Sequence, residues 1–214
     1  MRVGFIFNHG EYVGGGEISF VELIGAIQHY DVHPVAFVPA YGGVYEQLRT
    51  MQIETVVFPF PTLRHPSALL FPIIGKRLAK KFQSLNLDLV HTNGARCMLY
   101  AGVAARHARI PCLWHVRVME RDGFLDRLRG RLAAAVIANS HAVATTLKPL
   151  LPPNLPVNVI YNGIDLDAFA QSAPADIRKE FGLTAAPVIL SVGRITPEKG
   201  LENLIKVSMD LNRK

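Results

Sequence analysis

The sequence predicts an α/β fold: a doubly wound parallel sheet, followed by the first βα unit of a second domain. Three observations lead there. Apolar runs of strand length alternate with helical patterns from the first residues onward. Several of those runs are unbroken Val, Ile, Leu and Phe, as strands covered on both faces require. The alternation then breaks in an irregular Ala-, Pro-, Asp- and Gly-containing stretch and begins again near residue 187.

In chain order, residues 3–7, 34–38, 55–58, 87–91, 111–116, 135–138 and 157–161 read as strands. Helical periodicity fills the gaps at 17–29, 43–51, 66–85, 96–108, 125–134 and 140–150. Pro72 limits how far the third helix extends, and Ser140 has the chemistry of an N-cap for the sixth. Regularity ends after Asp165. Residues 167–186 read as a linker holding one short helical piece (176–181). Val188 then opens a new strand, and Leu201, Leu204, Ile205 and Val207 a new helix.

At 214 residues the chain is long enough for one large domain or one and a half small ones. Half of it is hydrophobic, with Gly and Pro spread along it, which excludes a disordered or low-complexity protein. No apolar run approaches the ~20 residues needed to cross a bilayer. The opening residues are too short for a signal-peptide core, so a cytoplasmic location is expected. Cys97 and Cys112 form no zinc spacing and are expected to be buried and reduced; eight scattered histidines give a metal site no support. The net charge of +6 and pI near 9.5 point to an anionic partner, whether nucleotide, phospholipid surface or nucleic acid.

The chemistry is concentrated at predicted strand ends, where open parallel sheets bind ligands. Ser191–Gly200 is the most informative stretch. A strand, a turn carrying Gly193, Arg194 and Lys199, and then a helix N-terminus suit a phosphate group, or else form an ordinary βα turn with solvated cations. Gly14, Gly15 and Gly16 precede Glu17 at the entry to the first helix. They would let a backbone approach a ligand, or simply form a permissive loop, and they do not match a dinucleotide fingerprint. His115 ends the fifth strand, beside Arg117, as a proton-transfer group, a hydroxyl partner or a structural histidine. Asn139-Ser140 caps a helix or touches a ligand, and Asn162-Gly163 marks a turn. No nucleophile elbow or Ser-His-Asp order is present.

Taken together these pieces resemble the N-terminal portion of a GT-B-fold, family-4-type retaining glycosyltransferase. The residues that carry the likeness are Gly14–Glu17, His115, Ala138-Asn139-Ser140, Asn162-Gly163-Ile164-Asp165, and above all Gly193-Arg194 with Pro197-Glu198-Lys199-Gly200. The resemblance implies two Rossmann-like domains: an acceptor-side domain over 1–166, a linker over 167–186 and the start of a nucleotide-sugar-binding domain over 187–214. It implies that Gly193, Arg194 and Lys199 hold the donor diphosphate and stabilise the leaving group, with no metal or other cofactor. Gly14, Gly15 and Gly16 would lie against the donor phosphates and acceptor, and His115 near the transferred sugar. Glu17, Arg117, Asn139 and Asn162 would line the acceptor side. The acceptor would be a glycolipid or polysaccharide precursor.

The family usually carries a Glu-x7-Glu segment further on in the donor domain, and residues 187–214 hold none. The resemblance therefore implies a truncated chain that does not catalyse transfer alone, since a lone strand and helix cannot bury both faces. The alternative is a non-catalytic module that binds an acceptor or partner. Nucleic-acid binding is not expected, because no recognised motif accompanies the charge. Peripheral contact with an anionic membrane rests on two segments. Leu70, Ile74, Leu78 and Phe82 are flanked by Lys76, Arg77, Lys80 and Lys81. Phe124, Leu125, Leu128 and Leu132 are interleaved with Arg121, Arg127, Arg129 and Arg131. The favoured reading of each is instead a core-packed helix with a solvated basic face.

Overall fold

The computed structural model describes residues 1–61, 71–171, 175–183 and 187–211. Its contacts divide the chain into two units, Met1–Asp165 and Leu166–Lys214.

The first unit alternates strand and helix throughout. Its elements are β1 (Arg2–Phe7), α1 (Gly15–Ile27), β2 (His33–Val38), α2 (Gly43–Thr50), β3 (Glu54–Val57), α3 (Phe71–Ser84) and β4 (Leu89–Asn93). They continue with α4 (Ala95–Ala108), β5 (Cys112–Val116), α5 (Gly123–Leu132), β6 (Ala135–Ala138), α6 (His141–Leu147) and β7 (Val157–Val159). All seven strands are parallel, in the order β3-β2-β1-β4-β5-β6-β7. The chain winds outward from β1 to β3, then returns to the other side of β1. The switch point, where ligands bind in such sheets, therefore lies between β1 and β4.

Side-chain alternation sends successive residues of each strand to opposite faces, and helices cover both. Phe5 and Phe7 of β1 pack with Phe20, Val21 and Ile24 of α1 and Val44 and Leu48 of α2. Ile6, between them, joins the opposite core with Leu78 and Phe82 of α3, Tyr100 of α4 and Trp114 of β5. Cys97 and Cys112 are buried and unpaired in that second core, where burial raises both thiols, Cys97 to about 12. On α5, the buried Asp126 and Arg129 pair at 2.5 Å, and Arg129 Nε donates to Ala95 O at 2.9 Å, tying α5 to the start of α4.

Most predicted elements form within a few residues of the expected ends. Ser140 does cap α6, its Oγ accepting from Val143 N at 3.2 Å; the helix then tightens into a 3-10 turn over Lys148–Leu150. The third helix is described from Phe71; residues 66–70 of that expectation, Leu70 included, lie outside the described residues. On α3, Leu78 and Phe82 are buried and Ile74 packs on the core, so its apolar stripe faces inward. On α5, Phe124 (77% exposed) and Leu128 (38%) face outward.

In the second unit the short helical piece expected within 167–186 forms as α8 (Ile177–Glu180), and a further helix, α7 (Leu166–Gln171), precedes it. The expected strand at 187–190 is not formed: Val188, Ile189, Leu190 and Val192 are exposed in irregular chain. A strand needs a neighbour to bond its N–H and C=O groups, and none is present among the described residues of this unit. The helix after the turn does form, as α9 (Leu201–Leu211).

Candidate active site

Six chain segments converge at the carboxyl edge of the sheet near its switch point. Strand β1 ends at Phe7, so Asn8 emerges there; its Oδ1 accepts from Cys97 N at 2.9 Å, in the first turn of α4. Gly94, before that helix, has φ +118°, and a Cβ there would stand 2.2 Å from Asn8 Nδ2. Only glycine fits this approach. Strand β4 runs two residues further than expected and delivers Asn93, 4% exposed.

Arg117, just past β5, links these pieces. Its Nε donates to Asn93 Oδ1 at 2.8 Å, Nη1 donates to Asn162 Oδ1, and Nη2 lies 3.4 Å from His115 Nδ1. Asn93 Nδ2 in turn donates to Gly16 O at 3.1 Å, holding the glycine turn against β4. Asn139 Nδ2 donates to Arg117 O at 3.3 Å. Burial lowers the Arg117 guanidinium to about 10, opposed by Glu17, so it remains charged at neutral pH.

The predicted site residues divide by unit. His115, Arg117, Asn139 and Asn162 form one bonded group, with Gly16 joined to it through Asn93. Glu17 is buried, and its Oε2 accepts from Gly14 N at 3.2 Å, which makes it a cap for α1. A Cβ at Gly14 or Gly15 would meet nothing within 4 Å; packing does not explain these two glycines. Gly193, Arg194 and Lys199 lie in the second unit. There Pro197–Lys199 forms a 3-10 turn, Gly200 has φ +63°, and α9 starts at Leu201. A Cβ at Gly193 would stand 3.9 Å from the Lys199 stem, and Arg194 and Lys199 are exposed. The turn thus presents two cations just before a helix N-terminus, favourable for an anion.

His115 is 5% exposed. Burial, then Arg117, then His91 hold its pKa far below the usual histidine range, so it is neutral at physiological pH. Its Nε2 is buried and has no partner among the described residues, as is Asn139 Oδ1. A buried polar atom without a partner costs about 1–3 kcal/mol, which a ligand hydroxyl can relieve. Held neutral, His115 is suited to hydrogen bonding rather than to proton donation. Among the described residues no group of three or more His, Cys, Asp or Glu could hold a metal ion.

Sequence reading missed His91, Asn93, Asn8 and Phe20. His91 is 6% exposed beside His115, and Phe20 of α1 packs edge-on against its ring at 5.0 Å. The available signal was His91-Thr92-Asn93-Gly94, a polar run following Leu89-Val90 at a strand end.

The fold and the site define an α/β protein with a bonded polar cluster at the carboxyl edge of a parallel sheet and a neutral buried histidine within it. The chain belongs to glycosyltransferase family 4: the model described as Glycosyltransferase Family 4 matches residues 13–168. It is 25% identical over 169 residues to a GDP-mannose-dependent alpha-(1-6)-phosphatidylinositol monomannoside mannosyltransferase of Mycolicibacterium smegmatis, covering 72% of this chain and 44% of that one. Among solved structures, a glycosyltransferase from Rickettsia africae superposes with a TM-score of 0.73 at 17% identity, over 91% of this chain and 53% of the other. Anabaena HepE in complex with UDP gives 0.68 at 22% identity, over 85% and 50%. The sheet is accordingly a Rossmann-like half of the GT-B fold. The chain spans about half the length of the relatives it matches.

Proposed function

We propose that a protein carrying this chain transfers a hexosyl group, with retention, from a nucleoside-diphosphate sugar to a glycolipid or polysaccharide-precursor acceptor. The bond from the anomeric carbon to the diphosphate oxygen breaks, a bond to the acceptor oxygen forms on the same face, and the acceptor proton leaves with the diphosphate. Arg194 and Lys199 hold the diphosphate and neutralise the charge that builds on it, so no metal is required for that task. His115 donates from Nε2 to a sugar hydroxyl and positions the sugar. Gly14–Gly16 admit the donor phosphates, while Arg117, Asn139, Asn162 and Glu17 shape the acceptor side.

The observation that most supports this reading is the buried, unpartnered Nε2 of His115 near the carboxyl end of β5, one strand from the switch point; Asn139 Oδ1, just past β6, also lacks a partner among the described residues. The mannosyltransferase relative and the UDP complex of HepE support the substrate class. A panel of nucleotide sugars, offered with lipid-linked and saccharide acceptors, tests it; product carrying the donor's anomeric configuration is expected, and inversion or no transfer counts against it.

Residues 1–214 by themselves are proposed not to turn over, because Val188–Val192 form no strand and α9 leaves Ile205, Val207 and Met209 more than half exposed. The same observation favours a second reading, an acceptor-binding module. Acceptor binding without transfer would support it, and robust turnover by residues 1–214 would remove it. Peripheral contact with an anionic membrane is supported at α5, where Phe124 and Leu128 are exposed beside Arg127 and Arg131, and not at α3. Flotation with anionic vesicles at low salt, lost on Phe124→Glu, is the expected result. A cytoplasmic location fits that reading, and no helix among the described residues is long and apolar enough to cross a membrane. Salt-sensitive oligonucleotide binding, which is not expected, would point to a nucleic-acid partner instead.

A further inference from the structure

A second buried imidazole lies against His115, and the reading above gives it no task. His91 of β4 and His115 of β5 lie edge to edge, their ring centroids 5.4 Å apart and their planes 19° from parallel. His91 Nε2 is 3.2 Å from His115 Nδ1. Strand register makes the contact diagonal: His91 is opposite Leu113, and Asn93 is opposite His115. Phe5 at 5.5 Å and Phe20 at 5.0 Å enclose the His91 ring, so its orientation is set by packing.

The polarity of this contact follows from its neighbours. A neutral imidazole carries one N–H and one lone pair, whereas a guanidinium only donates. Arg117 Nη2 points to the same His115 Nδ1 from 3.4 Å. With the His115 proton on Nδ1, that N–H would oppose the guanidinium N–H. With the proton on Nε2, Nδ1 is an acceptor facing two donors. The hydrogen-bond network thus assigns the bonding proton to His91 Nε2 and His115's own proton to its Nε2. Burial, reinforced by Arg117, keeps both rings uncharged, so neither nitrogen gains a competing proton near neutral pH.

We propose that His91 is a positioning residue. By donating from Nε2 to His115 Nδ1 it fixes the tautomer in which His115 presents an N–H, rather than a lone pair, to the sugar. The second half of this statement rests on the transferase reading; the first half does not.

Nuclear magnetic resonance of the protein with 15N-labelled histidine separates the two. The expected result is a 15N–15N coupling across the bond between His91 Nε2 and His115 Nδ1, with the proton attached to His91, and His115 wholly in the Nε2–H form. His91→Leu should abolish the coupling and let His115 populate both tautomers. His91→Gln, whose amide can still donate, should restore the single form. In a transferring protein, His91→Leu should lower kcat roughly tenfold with donor KM unchanged, matching loss of one hydrogen bond of about 1.4 kcal/mol, and His91→Gln should recover most of it.

A His115 proton on Nδ1 in the wild-type protein overturns the proposal, whether or not the leucine variant folds. So does a His91→Leu variant with an unchanged His115 tautomer or an unchanged kcat. Absence of transfer from every donor by a longer protein that carries this chain with a whole donor-binding domain would instead defeat the transferase reading, leaving the coupling to decide the role of His91.

Discussion

Arg117 and Asn93 join the ends of two neighbouring strands: Arg117 Nε donates to Asn93 Oδ1 at 2.8 Å while Asn93 Nδ2 reaches Gly16 O at 3.1 Å. The pair therefore holds β4, β5 and the glycine turn in one arrangement, and the remaining guanidinium nitrogens extend it to His115 and Asn162. Arg117 acts as the organiser of the site as well as one of its charges.

Replacing Arg117 by Met keeps the stem that packs 3.5 Å from a Cβ position on Gly16 and removes the donors. Asn93 Oδ1 is then left buried without that partner. We expect a loss of about 1.5–3 kcal/mol, the range for hydrogen bonds to charged groups, read from urea midpoints. An unchanged midpoint would show that the network adds nothing to folding.

The two buried histidines set a pH dependence. In the unfolded chain each titrates near 6.5, whereas burial first, and Arg117 next, lower them in the folded state, His91 to about 3. Below pH 6.5 the unfolded chain takes up the extra protons, so stability falls as pH falls, and the effect is absent above that value. The slope is up to about 1.4 kcal/mol per pH unit for each histidine. Urea midpoints between pH 7.5 and 5 should fall less steeply in His91→Leu than in the wild-type protein. Equal slopes would mean that His91 protonates as easily folded as unfolded.

The glycine turn separates folding from function. Gly14 is extended (φ −175°), and a Cβ at Gly14 or Gly15 meets nothing. Ala at either position should change stability by no more than about 0.5 kcal/mol. Transfer should nevertheless fall if donor phosphates approach this backbone. Gly94→Ala should behave oppositely, losing stability through its φ of +118° and its collision with Asn8. Full activity in Gly14→Ala and Gly15→Ala would remove the turn from the site.

For the cations of the second unit, the expected effect is on donor use. Arg194→Ala and Lys199→Ala should each weaken it by about ten- to a hundredfold, the equivalent of roughly 1.5–3 kcal/mol for one charge-assisted contact. Both side chains are exposed, so stability should not change. Donor kinetics that are the same in both variants as in the wild-type protein would place the diphosphate elsewhere.

Much of the fold was legible because strands buried on both faces write themselves as apolar runs, as Val3–Phe7 and Val35–Val38 do. Ser140 was readable for a similar reason, since capping is local chemistry. What escaped depended on neighbours distant in sequence. His91 and Asn93 become meaningful only when β4 is set beside β5, and the strand was ended too early because its last residues are polar. Glu17 was read toward the ligand; its carboxylate also closes the first turn of its own helix, a local cap that the reading passed over. Val188–Leu190 failed in the other direction: its composition suits a strand, but strand formation needs a partner that those residues do not have here.

The most direct measurement takes a protein that carries this chain together with a whole donor-binding domain and compares it with its His115→Ala variant in steady-state hexosyl transfer, varying the nucleotide sugar at saturating acceptor. If neutral His115 positions the sugar through Nε2, kcat should fall at least about tenfold, the worth of one hydrogen bond lost at the reacting sugar, while donor KM stays nearly constant. A variant with wild-type kcat, or one in which only donor KM rises, would contradict that role.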